Sequence, residues 1–466
     1  MSVFSPARAA RVALGVLLAA ATLVGAAALV LVEPPGVSRS AVSVSAQPPA
    51  SASVAACVGP LLASGRDSAQ AAQLADAAGQ SITSGASAGE PVEASPLAAA
   101  DVSAGSGPAA VVAQPSPSGE RTDLAAAGSS QVAAADLAGF AASSCARPVP
   151  ETWLVGGAAT TGASDLVLLA NPGDVPALVT LTVYGATGMT APAAGKGIVV
   201  PARTQRVIPL ASLAIGEESP VVHVLSSQAP VRAALQTSLT RILVPGGVDQ
   251  VGDAGSPATS LVIPGVPVTV PPGDEGSSNV TTSVRLLSPS GAGTATVEVQ
   301  GSAGAVQTQT VPLLEGVPLR LDLAGLAVGT YTVRVSSTTP VTGAAWATTG
   351  FGSGSDFAWF TPAQPLRGSA LLAVAAGPAP VVTLASSATE PQTVTLSDSA
   401  GGDPQQVVVP AASAVTVPVS PDRVYLLSGD GAGVAAAVTY AAPGAVAGYV
   451  AQPGDAAAAS IVVYPR

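Results

Sequence analysis

Apolar and polar residues alternate along short segments in the middle of the chain. In the clearest case Val179, Leu181 and Val183 alternate with Thr180 and Thr182. A period of two is typical of a β-strand that buries one face. Similar segments, each bounded by Gly, Pro or Ser, lie at 165–170, 197–201, 205–209, 221–225 and 232–239. The pattern predicts a unit built from short strands.

Two later parts of the chain repeat this pattern. Their segments lie at 282–289, 295–300, 317–323, 331–335 and 341–348, and again at 380–385, 392–397, 407–410, 415–419, 423–428 and 434–440. Ser226–Leu235 resembles Ser336–Ala345, and Ser428–Ala437 occupies the same place in the third part. A period of about a hundred residues is too long for a solenoid and is typical of β-sandwich domains. We therefore predict an all-β protein with tandem Ig-like sandwich units at 151–262, 263–368 and 369–466.

The N-terminal segment Val12–Val32 contains no charged residue. At about 1.5 Å per residue it spans about 30 Å as a helix, which is the thickness of the apolar core of a bilayer. Arg8 and Arg11 precede it, so the positive-inside rule places residues 1–11 in the cytoplasm. This predicts a single-pass protein of the cell membrane with its C-terminal ectodomain outside. The alternative is a cleaved signal peptide, since Val44–Ala46 has the small residues of a cleavage site.

Residues 33–56 are rich in Pro, Ser and Ala, which predicts an extended linker. Cys57 and Cys145 follow and are the only cysteines. An even pair in an exported chain favours a disulfide. A catalytic thiol would need a histidine, and the only one, His223, lies in a segment with a strand pattern.

The region 57–150 is rich in Ala, Ser and Gly and poor in aromatic residues. One interpretation is disorder. The other is a weakly patterned β region, with strands near 108–114 and 130–135, held to the first sandwich by the disulfide. We favour partial order, because a bridge that closes so long a loop contributes up to about 4–5 kcal/mol in the chain-entropy model.

The charge balance excludes one large class of partners. Seventeen basic and 28 acidic residues give a formal net charge of −11, and the basic residues form no cluster along the chain. An acidic surface repels nucleic acids and anionic lipid headgroups. We therefore expect no nucleic-acid partner.

Candidate catalytic and metal-binding motifs are weak. Gly85–Gly89 has the spacing of a nucleophile elbow but lies in low-complexity sequence, and Asn279–Thr281 is a glycosylation sequon by pattern alone. Four acids could be proposed as a calcium site, namely Asp249, Asp253, Asp274 and Glu275. Their spacing matches no known calcium-binding loop. We predict no cofactor, no metal and no catalytic residue, and hence no enzyme.

Five of the fourteen aromatic residues fall within fifteen positions: Trp346, Phe351, Phe357, Trp359 and Phe360. Exposed aromatic faces would suit a glycan, whereas buried ones would fix the packing of the second unit and its junction with the third. We favour packing, because a chain with so little aromatic mass needs it for its core.

The chain resembles a family of uncharacterised, membrane-anchored, secreted actinobacterial proteins known as domain of unknown function 5719. The resemblance extends from Cys57 to the C terminus and rests on Cys145–Pro148, Glu151–Gly157, Leu168–Gly173, Pro176–Val179, Ser226–Val231, Trp346 and Asp356–Trp359. It implies the fold class and location given above and transfers no catalytic residue. We expect a structural or adaptor protein of the cell envelope that engages another envelope protein or a cell-wall polysaccharide. The alternative is a glycan-binding module, and an enzyme is the third choice.

Overall fold

The computed structural model describes residues 6–31, 43–46, 50–65, 73–103, 107–271, 280–366, 368–429, 433–453 and 461–464. The chain divides into two compact units. One comprises residues 1–48 and 458–466, and the other comprises residues 49–457.

The smaller unit contains a helix, α1 (Pro6–Leu31), and a short strand, β1 (Val44–Ala46), which pairs antiparallel with residues 461–463. Among the residues that the structure describes, no helix is both long and apolar enough to cross a membrane. The transmembrane span predicted at 12–32 is therefore not supported, and its last residue lies outside the described residues. The predicted linker at 33–56 contains β1 and the first strand of the larger unit.

The N-terminal region of the larger unit is a set of short, Ala-rich strands. They are β2 (Ser53–Ala56), β3 (Leu61–Ser64), β4 (Leu74–Ala78), β5 (Ser81–Ala86), β6 (Val92–Pro96), β7 (Ala98–Ala99), β8 (Val102–Ser103), β9 (Ala109–Ala113), β10 (Leu124–Ala133) and β11 (Ala138–Cys145), with a 3-10 turn at Ser87–Gly89. They form three small sheets in the orders β2–β9–β6, β3–β4–β8 and β11–β10–β5. The β interpretation of this region is therefore correct for its described residues. The strand predicted near 108–114 coincides with β9, and the one predicted near 130–135 overlaps only the end of β10.

The first pair of sheets follows. Its elements are β12 (Glu151–Val155), β13 (Leu166–Asn171), β14 (Ala177–Gly185), β15 (Gly188–Thr190), β16 (Ile198–Val200), β17 (Thr204–Pro209), a one-turn helix α2 (Ala211–Ala214), β18 (Val221–Ser227), β19 (Arg232–Arg241) and β20 (Val244–Val251), with a 3-10 turn at Ala193–Gly195. One sheet runs β12–β18–β14–β15 with β16 beside β14, and the other runs β20–β19–β13–β17–β7. Val179, Leu181 and Val183 of β14 point into the core, as their alternation predicts.

The second pair of sheets shares one long strand. Its elements are β21 (Ala258–Val268), β22 (Thr282–Leu287), β23 (Gly293–Gly301), β24 (Gly304–Leu313), β25 (Leu319–Asp322), β26 (Gly329–Thr348) and β27 (Phe357–Phe360). The first half of β26 pairs with β21 and β23, and its second half pairs with β22 and β27. Since β21 begins at Ala258, this pair starts before the boundary predicted at 263.

The third pair contains β28 (Ala370–Val374), β29 (Val381–Ser386), β30 (Gln392–Asp398), β31 (Gln405–Val409), β32 (Ala414–Pro418), β33 (Arg423–Gly429), β34 (Val434–Ala442) and β35 (Ala445–Val450). Its sheets run β28–β33–β30–β31 and β32–β29–β34–β35. The last strand, β36 (Ile461–Val463), is the partner of β1 in the smaller unit. The all-β prediction is confirmed, while the Ig-like assignment of the sheet pairs stays a prediction.

The N-terminal region packs on two of the sheet pairs. Leu62 lies in one core with Leu168 of the first pair. Phe140 of β11 lies in the core of the third pair, and its ring meets the Tyr440 ring edge-on at a centroid distance of 5.3 Å. The predicted association with the first sandwich is therefore incomplete. Strands made largely of Ala bury little apolar area by themselves, so they gain stability by covering the larger side chains of their neighbours.

Four hairpins of similar design meet in the middle of the larger unit. They are β10–β11, β19–β20, β26–β27 and β34–β35, and each comes from a different part of the chain. Their second strands lie side by side in the cyclic order β11, β20, β27 and β35. The sheet pairs are thus arranged around a centre rather than as a linear string.

The carboxylate of Asp356 lies at this centre, just before β27, and has no exposed surface. It accepts hydrogen bonds from the backbone N–H groups of Phe140 (3.0 Å), Val248 (3.2 Å) and Val446 (3.1 Å), and one from Phe357. Each of the four second strands therefore donates to one side chain. We call these five residues the Asp356 hub.

Glycines bring the backbone close enough to the hub. A Cβ atom on Gly139 would lie 2.5 Å from Oδ1 of Asp356, and a Cβ atom on Gly247 would lie 2.7 Å from it. Gly247 also has a φ of +125°, which side-chain-bearing residues rarely adopt. Gly139 and Gly247 are thus required by the hub rather than by a surface turn.

Candidate functional site

A cavity of about 280 Å³ lies between the first and second sheet pairs. Its charged lining residues are Asp165, Glu218, Arg241, Arg285 and Arg320, and its aromatic ones are Trp346, Phe351, Phe357 and Trp359. We call it the arginine cavity. It combines apolar walls with a few polar groups, which is the usual composition of a small-molecule site.

Arg285, on β22, is the most deeply buried of the three arginines. Its Nη1 donates to the carbonyl oxygen of Pro220 (2.8 Å), and its Nη2 donates to those of Gly157 (2.9 Å) and Glu218 (3.2 Å). Its guanidinium carbon lies 4.5 Å from the centroid of the Trp359 ring, a cation–π arrangement. Burial lowers its pKa to about 9, and the charge of Asp165 acts in the opposite direction.

The Nε–H of Arg285 has no hydrogen-bond partner among the described residues, and the same holds for the hydroxyl oxygen of Thr237. Both residues line the arginine cavity and are almost fully buried. Buried polar atoms without partners are uncommon in native proteins and each needs an explanation.

Asp165, at the edge of β13, is held by the backbone. Its Oδ2 accepts from the N–H of Ala158 (2.7 Å) and its Oδ1 from the N–H of Ser238 (2.8 Å). Burial raises its pKa to about 7, although these hydrogen bonds and the Arg285 charge lower it. At neutral pH the carboxyl group is therefore close to half-protonated, and it can both donate and accept.

Arg241 and Arg320 lie nearer to the solvent. The Arg241 guanidinium lies over the Phe351 ring, with its carbon 4.6 Å from the centroid, and Arg320 pairs with Asp322 at 3.0 Å. Burial lowers the pKa of Arg241, and so does the positive charge of Arg320, which acts on Arg285 as well. The positive charge of Arg320 thus acts against the charged forms of both Arg241 and Arg285.

The aromatic residues singled out from the sequence divide into two groups. Phe357, Trp359 and Phe360 are buried in the cores, as the packing interpretation expects. Trp346 and Phe351 are only half-buried and line the arginine cavity. The structure therefore places two partly exposed rings where a ligand could reach them.

Sequence reasoning missed the three arginines and Asp165. One signal was present, because Arg285 stands between Val284 and Leu286 in the strand Thr282–Leu287, all of which is buried. A charged residue in such a strand is almost never fully buried unless something is paired with it. No comparable signal linked this strand to Arg241 or Asp165, which are distant in the chain.

A hairpin tip adjoins the cavity. Arg241 is followed by the two-residue turn Ile242–Leu243, with φ values of +47° and +65°, before β20 begins. Their side chains are 97% and 92% exposed. Such turns favour Asn-Gly, and a β-branched residue with positive φ is a genuine outlier. Here the strained turn displays two large apolar side chains.

The other residues singled out from the sequence are engaged in contacts that stabilise the fold. Cys57 and Cys145 form the predicted disulfide and are buried. His223 stacks on Trp153, with ring centroids 4.0 Å apart, and its Nε2 lies 2.9 Å from a carboxylate oxygen of Glu151. Gly85 lies in β5, and a 3-10 turn at Ser87–Gly89 follows this strand in place of the helix of a nucleophile elbow.

The four acids considered for calcium do not form a described site. Asp249 has no exposed surface, and its Oδ2 accepts from the backbone N–H of Trp359 at 2.7 Å. Asp253 accepts from the N–H groups of Trp153 and Gly255. Asp274 and Glu275 lie outside the described residues, as does Asn279 of the sequon. Within the part of the chain that the structure describes, no three His, Cys, Asp or Glu residues form a group that could hold a metal ion.

Comparison with known families identifies the chain. The model of a family of unknown function, DUF5719, matches residues 98–421. The chain belongs to this family. The matched segment includes every residue of the arginine cavity and four of the five residues of the Asp356 hub; the fifth, Val446, lies beyond it. No curated protein matches the chain.

Proposed function

We propose that this DUF5719 protein is an extracytoplasmic structural or adaptor protein of the cell envelope and that it does not catalyse a reaction. The observation that carries the proposal is the hairpin tip at Ile242 and Leu243. Backbone strain of this kind costs about 1–3 kcal/mol per residue and is concentrated at sites of function. An isolated turn would relieve it with Asn-Gly, so the apolar side chains serve a purpose outside the fold.

The charge of the protein favours another protein as the partner of the tip. With a net charge of −11, the chain is repelled by anionic lipid headgroups. An apolar tip that enters a pocket of a second envelope protein loses its contact with water without that repulsion. A tip of two residues is small, so it would act as an anchor within a larger polar contact.

The location rests on the disulfide and on the sequence. A buried disulfide persists in oxidising compartments and is rare in the cytosol. Alkylation of thiols in freshly lysed cells, followed by mass mapping without reduction, tests this: we expect a Cys57–Cys145 peptide, and two alkylated cysteines would contradict it. Attachment to the membrane remains a prediction from the uncharged run at 12–32, and alkaline carbonate extraction tests it.

The adaptor proposal is tested by exchanging the tip for its preferred turn. The double variant I242N/L243G keeps the two-residue hairpin and relieves its strain. We expect its melting temperature to be equal to or above that of the wild type. In intact cells, crosslinking and mass spectrometry should then show a loss of the envelope protein that the wild type captures.

The control is V408T, which removes an equally apolar, exposed side chain from β31. It should leave the crosslinked partner in place. Unchanged capture by I242N/L243G would contradict the proposal, and so would an equal loss in V408T.

The arginine cavity favours a second candidate, a glycan-binding module. Trp346 and Phe351 present aromatic faces inside a cavity that also contains hydrogen-bonding groups. Sugars bind through such combinations, because their C–H faces are apolar and their rims are polar. Retention of the purified protein on cell-wall polysaccharide, with loss of retention in Trp346→Leu, is the experiment that distinguishes this candidate from the first.

A further inference from the structure

The arginine cavity contains two buried polar atoms whose partners are not supplied by the described residues: Nε of Arg285 and the hydroxyl oxygen of Thr237. Three of the other four N–H groups of Arg285 donate to the carbonyl oxygens of Pro220, Gly157 and Glu218. These bonds fix the guanidinium group in place, while its Nε–H has no acceptor among the described residues. A rigid, partly satisfied arginine is what recognition of an oxygen-rich ligand requires.

The charge in the cavity indicates the sign of this ligand. Arg241, Arg285 and Arg320 line it together, and Arg320 already affects both of the others through its charge. Asp165 and the exposed Glu218 are the acids of the lining. An anion among the three guanidinium groups would relieve their repulsion, and a planar carboxylate can accept two parallel N–H bonds from one guanidinium group.

The walls indicate its shape. Trp346 and Phe351 supply partly exposed faces, and Trp359 closes the cavity behind Arg285. A volume of about 280 Å³ is at the lower end for small-molecule sites and suits one six-membered ring with its substituents. The carboxyl groups of Asp165 and Glu218 also line the cavity and can accept hydrogen bonds from ring hydroxyl groups.

We propose that the arginine cavity binds a single acidic sugar unit, a pyranose that carries a carboxylate. The carboxylate is directed to the arginines, and the apolar ring face lies against Trp346 and Phe351. A phosphate ester fits less well, because it brings a second negative charge into a cavity whose lining already contains Asp165 and Glu218. The inference rests on the glycan-binding candidate above and deepens it by naming the class of sugar.

The test uses titration calorimetry on the full chain with four named probes at low and at physiological salt. They are methyl β-D-glucuronide, methyl β-D-glucoside, sodium benzoate and inorganic phosphate. We expect saturable binding of the glucuronide with one site per chain. The neutral glucoside, which lacks the carboxylate, and benzoate, which lacks the hydroxyl groups, should each bind at least about tenfold more weakly.

Three exposed arginines give matched variants. Arg320→Gln and Arg241→Gln each remove one guanidinium group at the mouth of the cavity and should lower the affinity for the glucuronide by about tenfold. Arg423→Gln is the control, because Arg423 is as exposed as Arg320 and also faces an aspartate, but lies in the third sheet pair. It should leave the affinity unchanged. Trp346→Leu should weaken the glucuronide and the glucoside by the same factor, because the ring face is common to both.

The results distinguish the acidic-sugar inference from the glycan-binding candidate on which it rests. Binding of the glucoside as tightly as the glucuronide would overturn the acidic-sugar inference and leave the glycan-binding candidate standing. Binding of phosphate or benzoate alone, or equal losses in Arg320→Gln and Arg423→Gln, would overturn the inference. If neither the glucuronide nor the glucoside binds, both the acidic-sugar inference and the glycan-binding candidate are wrong. The adaptor proposal is tested separately by crosslinking.

Discussion

The Asp356 hub and the arginine cavity are two buried charged sites that differ in how completely their hydrogen-bonding groups are satisfied. At the hub, one carboxylate accepts from four backbone N–H groups, one on each of the converging strands. In the cavity, Arg285 donates to three carbonyl oxygens, while its Nε and the Thr237 hydroxyl have no partner among the described residues. The hub has no exposed surface, whereas the cavity has room for a ligand.

The degree to which a buried charge is hydrogen-bonded within the fold separates structural sites from recognition sites. A buried charged group that is hydrogen-bonded by the backbone of several segments holds those segments together. Removal of the group would leave each backbone donor unpaired. A buried charged group whose hydrogen bonds are only partly satisfied, and which lies beside open space and other charges of the same sign, is a site for a ligand.

Asp356→Ala should cost about 3–5 kcal/mol of unfolding free energy, because four buried N–H groups would lose their acceptor at once. Urea unfolding followed by circular dichroism measures this. Asp356→Asn keeps one carbonyl acceptor and the side-chain volume, so it should lose clearly less. A cost below about 1 kcal/mol for the alanine variant would show that the hub does not hold the four hairpins together.

Replacing Cys57 and Cys145 by Ser should lower the unfolding free energy by about 4 kcal/mol, the chain-entropy expectation for a loop of this length. The sequence separation is 88 residues. Because the N-terminal region packs on both the first and the third sheet pairs, the loss should appear in the main unfolding transition. A separate early transition with the main one unchanged would show that this region unfolds alone.

Trp359→Ala should cost about 3 kcal/mol or more, the usual range for a buried aromatic residue. The Trp359 ring also contacts Arg285, and the backbone N–H of Trp359 donates to the buried Asp249. Thermal unfolding measures the loss. Trp359→Phe is the control and should retain most of the stability. An alanine variant that keeps the wild-type melting temperature but no longer binds cell-wall polysaccharide would contradict the packing role.

The stability should increase as the pH is lowered from about 8 to about 5. Burial raises the pKa values of Asp165 and Asp356 to about 7 and that of Asp249 to about 8, and the neighbouring charge of Asp356 also raises that of Asp249. In the unfolded chain these groups ionise near pH 4. Between these values the folded state holds more protons, so its stability falls as the pH rises through the folded pKa values.

Urea midpoints measured at several pH values test this slope. Asp249→Asn should make it shallower, because one of the three groups no longer titrates. A midpoint that rises between pH 5 and pH 8 would contradict the assignment of these carboxyl groups as buried and partly protonated.

The strands could be predicted because each one shows its buried face in the alternation of its own residues. The alternation around Val179, for example, follows from one buried face. The Asp356 hub could not be predicted, because its donors are backbone amides of Phe140, Val248 and Val446, whose side chains carry no sign of the contact. The glycines at 139 and 247 were the only trace, and in a chain with 50 glycines they are not distinctive.

The arginine cavity could be predicted from the sequence only in part. Arg285 in an apolar strand was a visible anomaly, and the aromatic cluster near Trp346 was singled out. Their meeting with Asp165 and Arg241 depends on how the second sheet pair packs against the first, which no local pattern encodes. The Ala-rich N-terminal region was ambiguous for another physical reason: its strands are stabilised by neighbours rather than by their own side chains.

The most direct test of the division between the two sites is a paired measurement on Asp356→Asn and Arg320→Gln. For each variant, the unfolding free energy and the dissociation constant for methyl β-D-glucuronide are measured in the same buffer. We predict that Asp356→Asn loses stability and keeps the wild-type affinity. Arg320→Gln should keep its stability within about 0.5 kcal/mol, as expected for an exposed side chain, and lose about tenfold in affinity. If both variants change both quantities in the same proportion, the hub and the cavity are not separate in function and the account is wrong.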